Sequence, residues 1–126
     1  MIRRVLLPLL VLGLVLVPAV AGTSAATTVK KVSVHDNYYK PQGISGFPLV
    51  PNLKVKEGTT VKWVWPSDTG DTHDVNLGKR PKGVKAFHSE LVATGYSFKR
   101  TLKKPGKYYI YCSLHDDMKM TITVTR

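Results

Sequence analysis

The residues Cys112-Ser113-Leu114-His115-Asp116-Asp117-Met118-Lys119-Met120 hold the chain's only cysteine, a histidine three positions on and a methionine three positions beyond that. Thiolate, imidazole and thioether together are the donors of a mononuclear copper centre built for electron transfer, in which one thiolate and two imidazoles bind strongly and a methionine sulfur sits weakly on the axis. Donors so close on one short loop cost little closure entropy. The second imidazole has to come from elsewhere, and His35, His73 and His88 are the choices. His73 is the best placed, because it ends the polar run Ser67-Asp68-Thr69-Gly70-Asp71-Thr72 and opens the strand-like His73-Asp74-Val75-Asn76-Leu77. His35 precedes Asp36-Asn37 and reads as a turn residue. His88, beside Glu90, reads as an exposed loop histidine.

These donors need a frame, and the chain alternates as half-buried strands do. Val32 and Val34 oppose Val29, Lys31 and Ser33, and Leu53-Lys54-Val55-Lys56 alternates up to a Glu57-Gly58 turn. Residues 59–65 put Val61, Trp63 and Trp65 on one face. Val75 and Leu77 flank Asn76, and residues 96–102, 107–112 and 121–125 complete the set, the last with Ile122 and Val124 on one face. Residues 40–52, with Pro41, Gly43, Gly46, Pro48 and Pro51, read as a loop or an irregular edge segment. Short strands with regular Gly, Pro and Asp punctuation predict an all-β sandwich of a single domain. Trp63 is expected in its core, and Tyr108 as a corner tyrosine whose hydroxyl bonds to backbone.

The first residues, Met1-Ile2-Arg3-Arg4, precede an apolar run from Val5 to Val17 and then the small residues Ala19-Val20-Ala21-Gly22 and Ser24-Ala25-Ala26. That pattern predicts a signal peptide over residues 1–26, cleaved after Ala21 or Ala26, and an exported domain over residues 27–126 that is periplasmic, in the cell envelope or extracellular. One exported thiol cannot form an internal disulfide, and ligation of a metal would occupy it. Lys and Arg number 19 against 8 Asp and Glu, a net charge of +11, which becomes +9 without Arg3 and Arg4. The lysines are spread singly over alternating segments, as on solvated strand faces. Basic residues do not cluster around aromatics, so nucleic acid is not an expected partner, whereas peripheral contact with an anionic envelope surface is.

The residues add up to a resemblance. Gly58-Thr59-Thr60-Val61-Lys62-Trp63, His73-Asp74-Val75, Phe87-His88-Ser89 with Gly95-Tyr96-Ser97-Phe98, residues 105–112 (PGKYYIYC) and Cys112-Ser113-Leu114-His115 together resemble small blue-copper proteins of the cupredoxin family, of the plastocyanin/amicyanin kind. The resemblance runs from Val29 to Val124. It implies a Greek-key sandwich and one bound copper ion, Cu(I) or Cu(II), held by His73, Cys112, His115 and a methionine. Met118 gives an amicyanin-like loop and Met120 a plastocyanin-like one. The family's inward pair falls four and six positions after the ligand, and counting from Met118 reaches Ile122 and Val124, which selects Met118. Asp74 stands where plastocyanins carry asparagine. A carboxylate can only accept, so the hydroxyl or N–H of Ser113 would have to donate to it.

The function so implied is one-electron transport by a monomer. Redox protein partners would dock transiently near His115, beside Asp116 and Asp117. The alternative is extracytoplasmic copper storage or delivery. A stand-alone enzyme is not expected, because His35 and His88 are too few for a second copper centre.

Overall fold

The computed structural model describes residues 16–19, 21, 22 and 25–126. The charged start and most of the apolar run of the expected signal peptide lie outside the described residues. Among the described residues no helix is long and apolar enough to cross a membrane.

Among the described residues eight strands follow one another: β1 (Val29–His35), β2 (Tyr38–Pro41), β3 (Asn52–Lys56), β4 (Thr59–Val64), β5 (Asn76–Leu77), β6 (Ser97–Leu102), β7 (Gly106–Tyr111) and β8 (Lys119–Thr125). They form two four-stranded sheets, ordered β2-β1-β4-β6 and β3-β8-β7-β5. The chain is a single β-sandwich domain, as its alternation predicts. Thr59, Val61 and Trp63 of β4 and Met120, Ile122 and Val124 of β8 are buried while their neighbours are not. The apolar ones among them, with Val32, Val34, Ile110 and Tyr108, make the core between the sheets. Each large apolar side chain fully buried there contributes about 1.5–3 kcal/mol relative to exposure.

One strand was not expected. β2 pairs antiparallel with β1 from Tyr38 opposite His35 to Pro41 opposite Val32. A tight turn joins them, with Asn37 in the left-handed region at φ 65°. Pro41 reads as a breaker, but β2 is an edge strand, where a proline's missing N–H need not face a partner. The segment after His73 is also less regular than expected: only Asn76 and Leu77 form a strand, and His73 makes an isolated bridge to Val92.

Gly58, at φ 82°, sits where the chain leaves the second sheet for the first. Its N–H donates to Leu102 O at 2.8 Å and that of Glu57 to Thr125 O at 2.7 Å, so this crossing is tied to both sheets. At the opposite end β1, β4 and β7 finish while β6 and β8 begin. The turn after β1, the polar loop of residues 67–72 and the loop of residues 112–118 therefore gather there.

Candidate metal centre

The polar loop is pinned before it delivers His73. Thr69 Oγ1 donates to Val34 O at 3.1 Å, and the N–H groups of Gly70 and Asp71 donate to the Asp36 carboxylate at 3.2 and 2.9 Å. His73 then exchanges two main-chain hydrogen bonds with Val92, at 3.0 and 3.1 Å. Its side chain is fully buried. Val75 N–H donates to Ser89 Oγ at 2.9 Å, which holds the segment against its neighbour.

The second loop closes on itself. Cys112 N–H donates to Met118 O, and Met118 N–H to His115 O, both at 3.0 Å. The β7–β8 register pairs Ile110 with Met120 and Tyr111 with Lys119. One step further sets Met118 opposite Cys112, and both are buried. Directly opposed residues share a face of the sheet with Cβ atoms about 4.5–5.5 Å apart. Met120 is opposite Ile110, two residues deeper in the core.

Asp74 ties the two loops together. Ser113 N–H donates to Asp74 Oδ1 at 2.7 Å and the Ser113 hydroxyl to Oδ2 at 2.6 Å. Both donors that Ser113 offers to the carboxylate are thus used. Burial pushes the Asp74 carboxyl up, but the hydrogen bonds of the Ser113 hydroxyl, Asn76 and Ser113 N–H together hold it below its usual range. The Asp74 carbonyl accepts from the buried Tyr39 hydroxyl at 2.6 Å.

Three of the donors singled out in the sequence meet here. Cys112 Sγ lies 3.5 Å from His115 Nδ1 and 3.9 Å from His73 Nδ1. The three donor atoms lie within 4.8 Å of one another. The rings of His73 and His115 are 4.7 Å apart between centroids. Burial pushes the Cys112 thiol up, so in the absence of metal it holds its proton, and a metal must displace that proton on binding. His35 and His88 lie apart from this cluster. His35 stacks on Tyr38 at 4.9 Å, and His88 Nδ1 faces Ser89 O at 3.2 Å.

The outer nitrogens carry partners that sequence reasoning missed. His73 Nε2 lies 3.1 Å from Asp36 Oδ1, and His115 Nε2 lies 3.0 Å from Asp71 Oδ2. The N–H of Asp71, the His73 ring and the N–H of Gly70 hold the Asp36 carboxyl below its usual range. Thr72 N–H and the His115 ring do the same for Asp71. An ionised carboxylate only accepts, so in each pair the Nε2–H of the ring donates, and Nδ1 is the nitrogen turned towards Cys112. Neither carboxylate is near its ring in sequence, so no local pattern announces it. Asp116 and Asp117, expected beside His115, are exposed, and the carboxylate bonded to that ring is Asp71.

The donor chemistry fits copper. One soft sulfur and two imidazole nitrogens converge, while Asp36 and Asp71 meet the rings at their outer nitrogens and Asp74 is taken up by Ser113. Such a set suits a metal that favours thiolate and imidazole over oxygen.

Known proteins agree with this frame. A reduced Cu(I) amicyanin variant is 22% identical, with a TM-score of 0.59 over 83% of this chain and 88% of that one. A second reduced amicyanin variant, 20% identical, reaches 0.61 over 81% and 87%. These likenesses establish the fold. A Cu-containing nitrite reductase from Thermus scotoductus SA-01 is 27% identical with a TM-score of 0.59 over 76% of this chain, which spans only 22% of that enzyme's length. A search of the curated proteins returned no significant match. The profile of copper binding proteins of the plastocyanin/azurin family matches residues 49–125, more than half of the chain. With a matching sandwich and a thiol between two imidazoles at its loop end, the chain belongs to the plastocyanin/azurin family of copper binding proteins.

Proposed function

We propose that this protein is an exported one-electron carrier and not a stand-alone enzyme. His73, Cys112, His115 and Met118 would hold its one copper ion. The observation that carries the reading is the convergence of the Cys112 sulfur and the two Nδ1 atoms within 4.8 Å. Bound copper supplies a one-electron Cu(II)/Cu(I) couple. The chain's part is to hold the donors still. His73 is fixed by main-chain bonds to Val92, and the second loop is fixed by its own bonds and by Asp74. A frame so tied changes little when one electron arrives or leaves, which favours transfer over metal exchange and so carriage over storage or delivery. Support for Met118 comes from its register position opposite Cys112.

His115 is the outlet for the electron. Its side chain is 23% exposed, while that of His73 is closed to solvent. Exposed Asp36, Asp68, Asp71, Asp116 and Asp117 all lie on the loops of this end. Lys30, Lys54 and Lys56 line a groove with Thr59 and Thr125 at the other end. A redox partner with basic groups on its docking face fits the acidic rim, in a brief encounter whose rate falls as salt rises. The lysine-rich end suits peripheral contact with an anionic envelope surface. Export rests on the order of residues 1–26 and on the single thiol.

The test is to add Cu(II) to residues 27–126 and record the visible and EPR spectra. An intense thiolate-to-copper charge-transfer band with narrow hyperfine splitting is expected, and Cys112→Ser should abolish it. An ordinary, nearly colourless Cu(II) spectrum from the unsubstituted protein would defeat the proposal. Met118→Leu should shift band and potential more than Met120→Leu. The reverse order would assign the methionine's role to Met120.

A further inference from the structure

Each of the two imidazoles that face Cys112 has a carboxylate on its other nitrogen, and the two carboxylates belong to one network. Asp36 takes the Nε2–H of His73 at 3.1 Å, and Asp71 takes that of His115 at 3.0 Å. Asp36 also accepts from the N–H of Asp71 at 2.9 Å, and Asp71 accepts from Thr72 N–H at 2.7 Å. The turn after β1 therefore grips the polar loop, and the polar loop grips the ring of the second loop. Chance surface pairing does not account for this. Asp36 orients a ring that is itself closed to solvent, and its remaining contacts build the segment that carries the second carboxylate.

We propose that Asp36 and Asp71 are positioning residues of the copper centre, which lock both imidazoles with Nδ1 free for the metal and strengthen them as donors to Cu(II). This rests on the copper reading above. A carboxylate behind a ligating imidazole fixes its tautomer and orientation and raises its basicity, and loss of such a partner typically costs about 10–100-fold in metal affinity. The added negative charge favours the more highly charged ion, so Cu(II) gains more than Cu(I) and the potential is set lower than the three inner donors alone would set it. The two residues divide the work. Asp36 fixes the buried ring through the turn after β1. Asp71 reaches across from the polar loop to the ring at the surface, so the loop that delivers one histidine also restrains the other.

The experiment compares Asp36→Asn, Asp71→Asn and the double variant with the unsubstituted protein. Asparagine keeps one oxygen to accept a backbone N–H, removes the charge and replaces the second accepting oxygen by an amide group that cannot accept from the ring. Three readouts are taken: thermal midpoint without metal, Cu(II) and Cu(I) affinity by chelator competition, and midpoint potential by spectroelectrochemistry. The double variant should keep its metal-free thermal midpoint and bind Cu(II) about tenfold more weakly, with a smaller loss for Cu(I). A tenfold loss confined to Cu(II) corresponds to a rise of ~59 mV for a one-electron couple. Asp71→Glu, which keeps the charge, should restore much of the difference seen in Asp71→Asn. Unchanged affinities and potential in the double variant would overturn the inference, as would a fall in metal-free stability with the potential unmoved, since the carboxylates would then be props of the loop alone. An unsubstituted protein that gives no charge-transfer band with Cu(II) would instead defeat the copper reading itself.

Discussion

The two ends of the sandwich close the same core with different materials. At the lysine-rich end the seal is made by Leu102, Tyr108, Val124 and Val55, with Thr59 the buried polar residue among them. At the metal end Thr69, His73, Asp74 and Ser89 are buried together with Cys112. A buried polar group is costly unless it is hydrogen-bonded, and here each of the four is. One end contributes stability by excluding water. The other spends buried volume on placing donors, and its hydrogen bonds offset the desolvation of its polar groups rather than add much to it. Substitutions at the first end should therefore be read in stability, and those at the second in metal chemistry as well.

The largest contrast lies within the metal end. His73→Ala and His115→Ala each remove an imidazole, and both should lose the charge-transfer band on Cu(II) addition. Their metal-free proteins should differ. The His73 ring is fully buried, and its removal leaves a cavity and should cost about 2–4 kcal/mol in urea unfolding. His115 stands on a short exposed loop, and its loss should change metal-free stability by no more than about 0.5 kcal/mol. Equal losses would mean that the second loop is as much a part of the core as the first.

The link between the loops comes next. Asp74→Ala leaves Ser113 N–H and hydroxyl without their acceptor and should cost about 1–3 kcal/mol. Asp74→Asn should recover most of this, because its oxygen can accept from Ser113 N–H and its amide can donate to the Ser113 oxygen. Spectra of the copper-loaded Ala variant should broaden as the second loop loosens. An unbroadened spectrum would show that Cys112 and Met118 close the loop unaided.

How much of this was legible in the sequence depends on how far apart the interacting residues are. The alternation of Val61, Trp63 and Trp65 and of residues 107–112 announces strands locally, because a side-chain period of two needs no partner to be seen. β2 escaped because it is four residues long and ends in Pro41, and its pairing shows only once β1 lies beside it. Cys112 and His115 are neighbours on one loop and could be found together. His73 needed the resemblance as well as its polar loop. Asp36 and Asp71 stand 37 and 44 residues from the rings they hold, and no spacing rule connects them. The same long reach hid the Tyr39 hydroxyl, which supports the Asp74 carbonyl from 35 residues away.

The smallest expected effect tests whether the two ends are independent. Tyr108 has its ring buried among the apolar residues of the lysine-rich end, and its hydroxyl donates to Lys104 O at 2.8 Å. Tyr108→Phe keeps the ring and removes that one bond, which should lower stability by about 1 kcal/mol. Tyr108 also sits four residues before Cys112 on the same chain, within β7. If the metal end is held by its own bonds to Val92, Ser89 and Asp74, the charge-transfer band and potential of the copper-loaded variant should match those of the unsubstituted protein within error. A shift in either would mean that β7 transmits strain along its length to the thiolate. The lysine-rich end would then share in setting the geometry of the centre, and the division between stability at one end and placement at the other would fail.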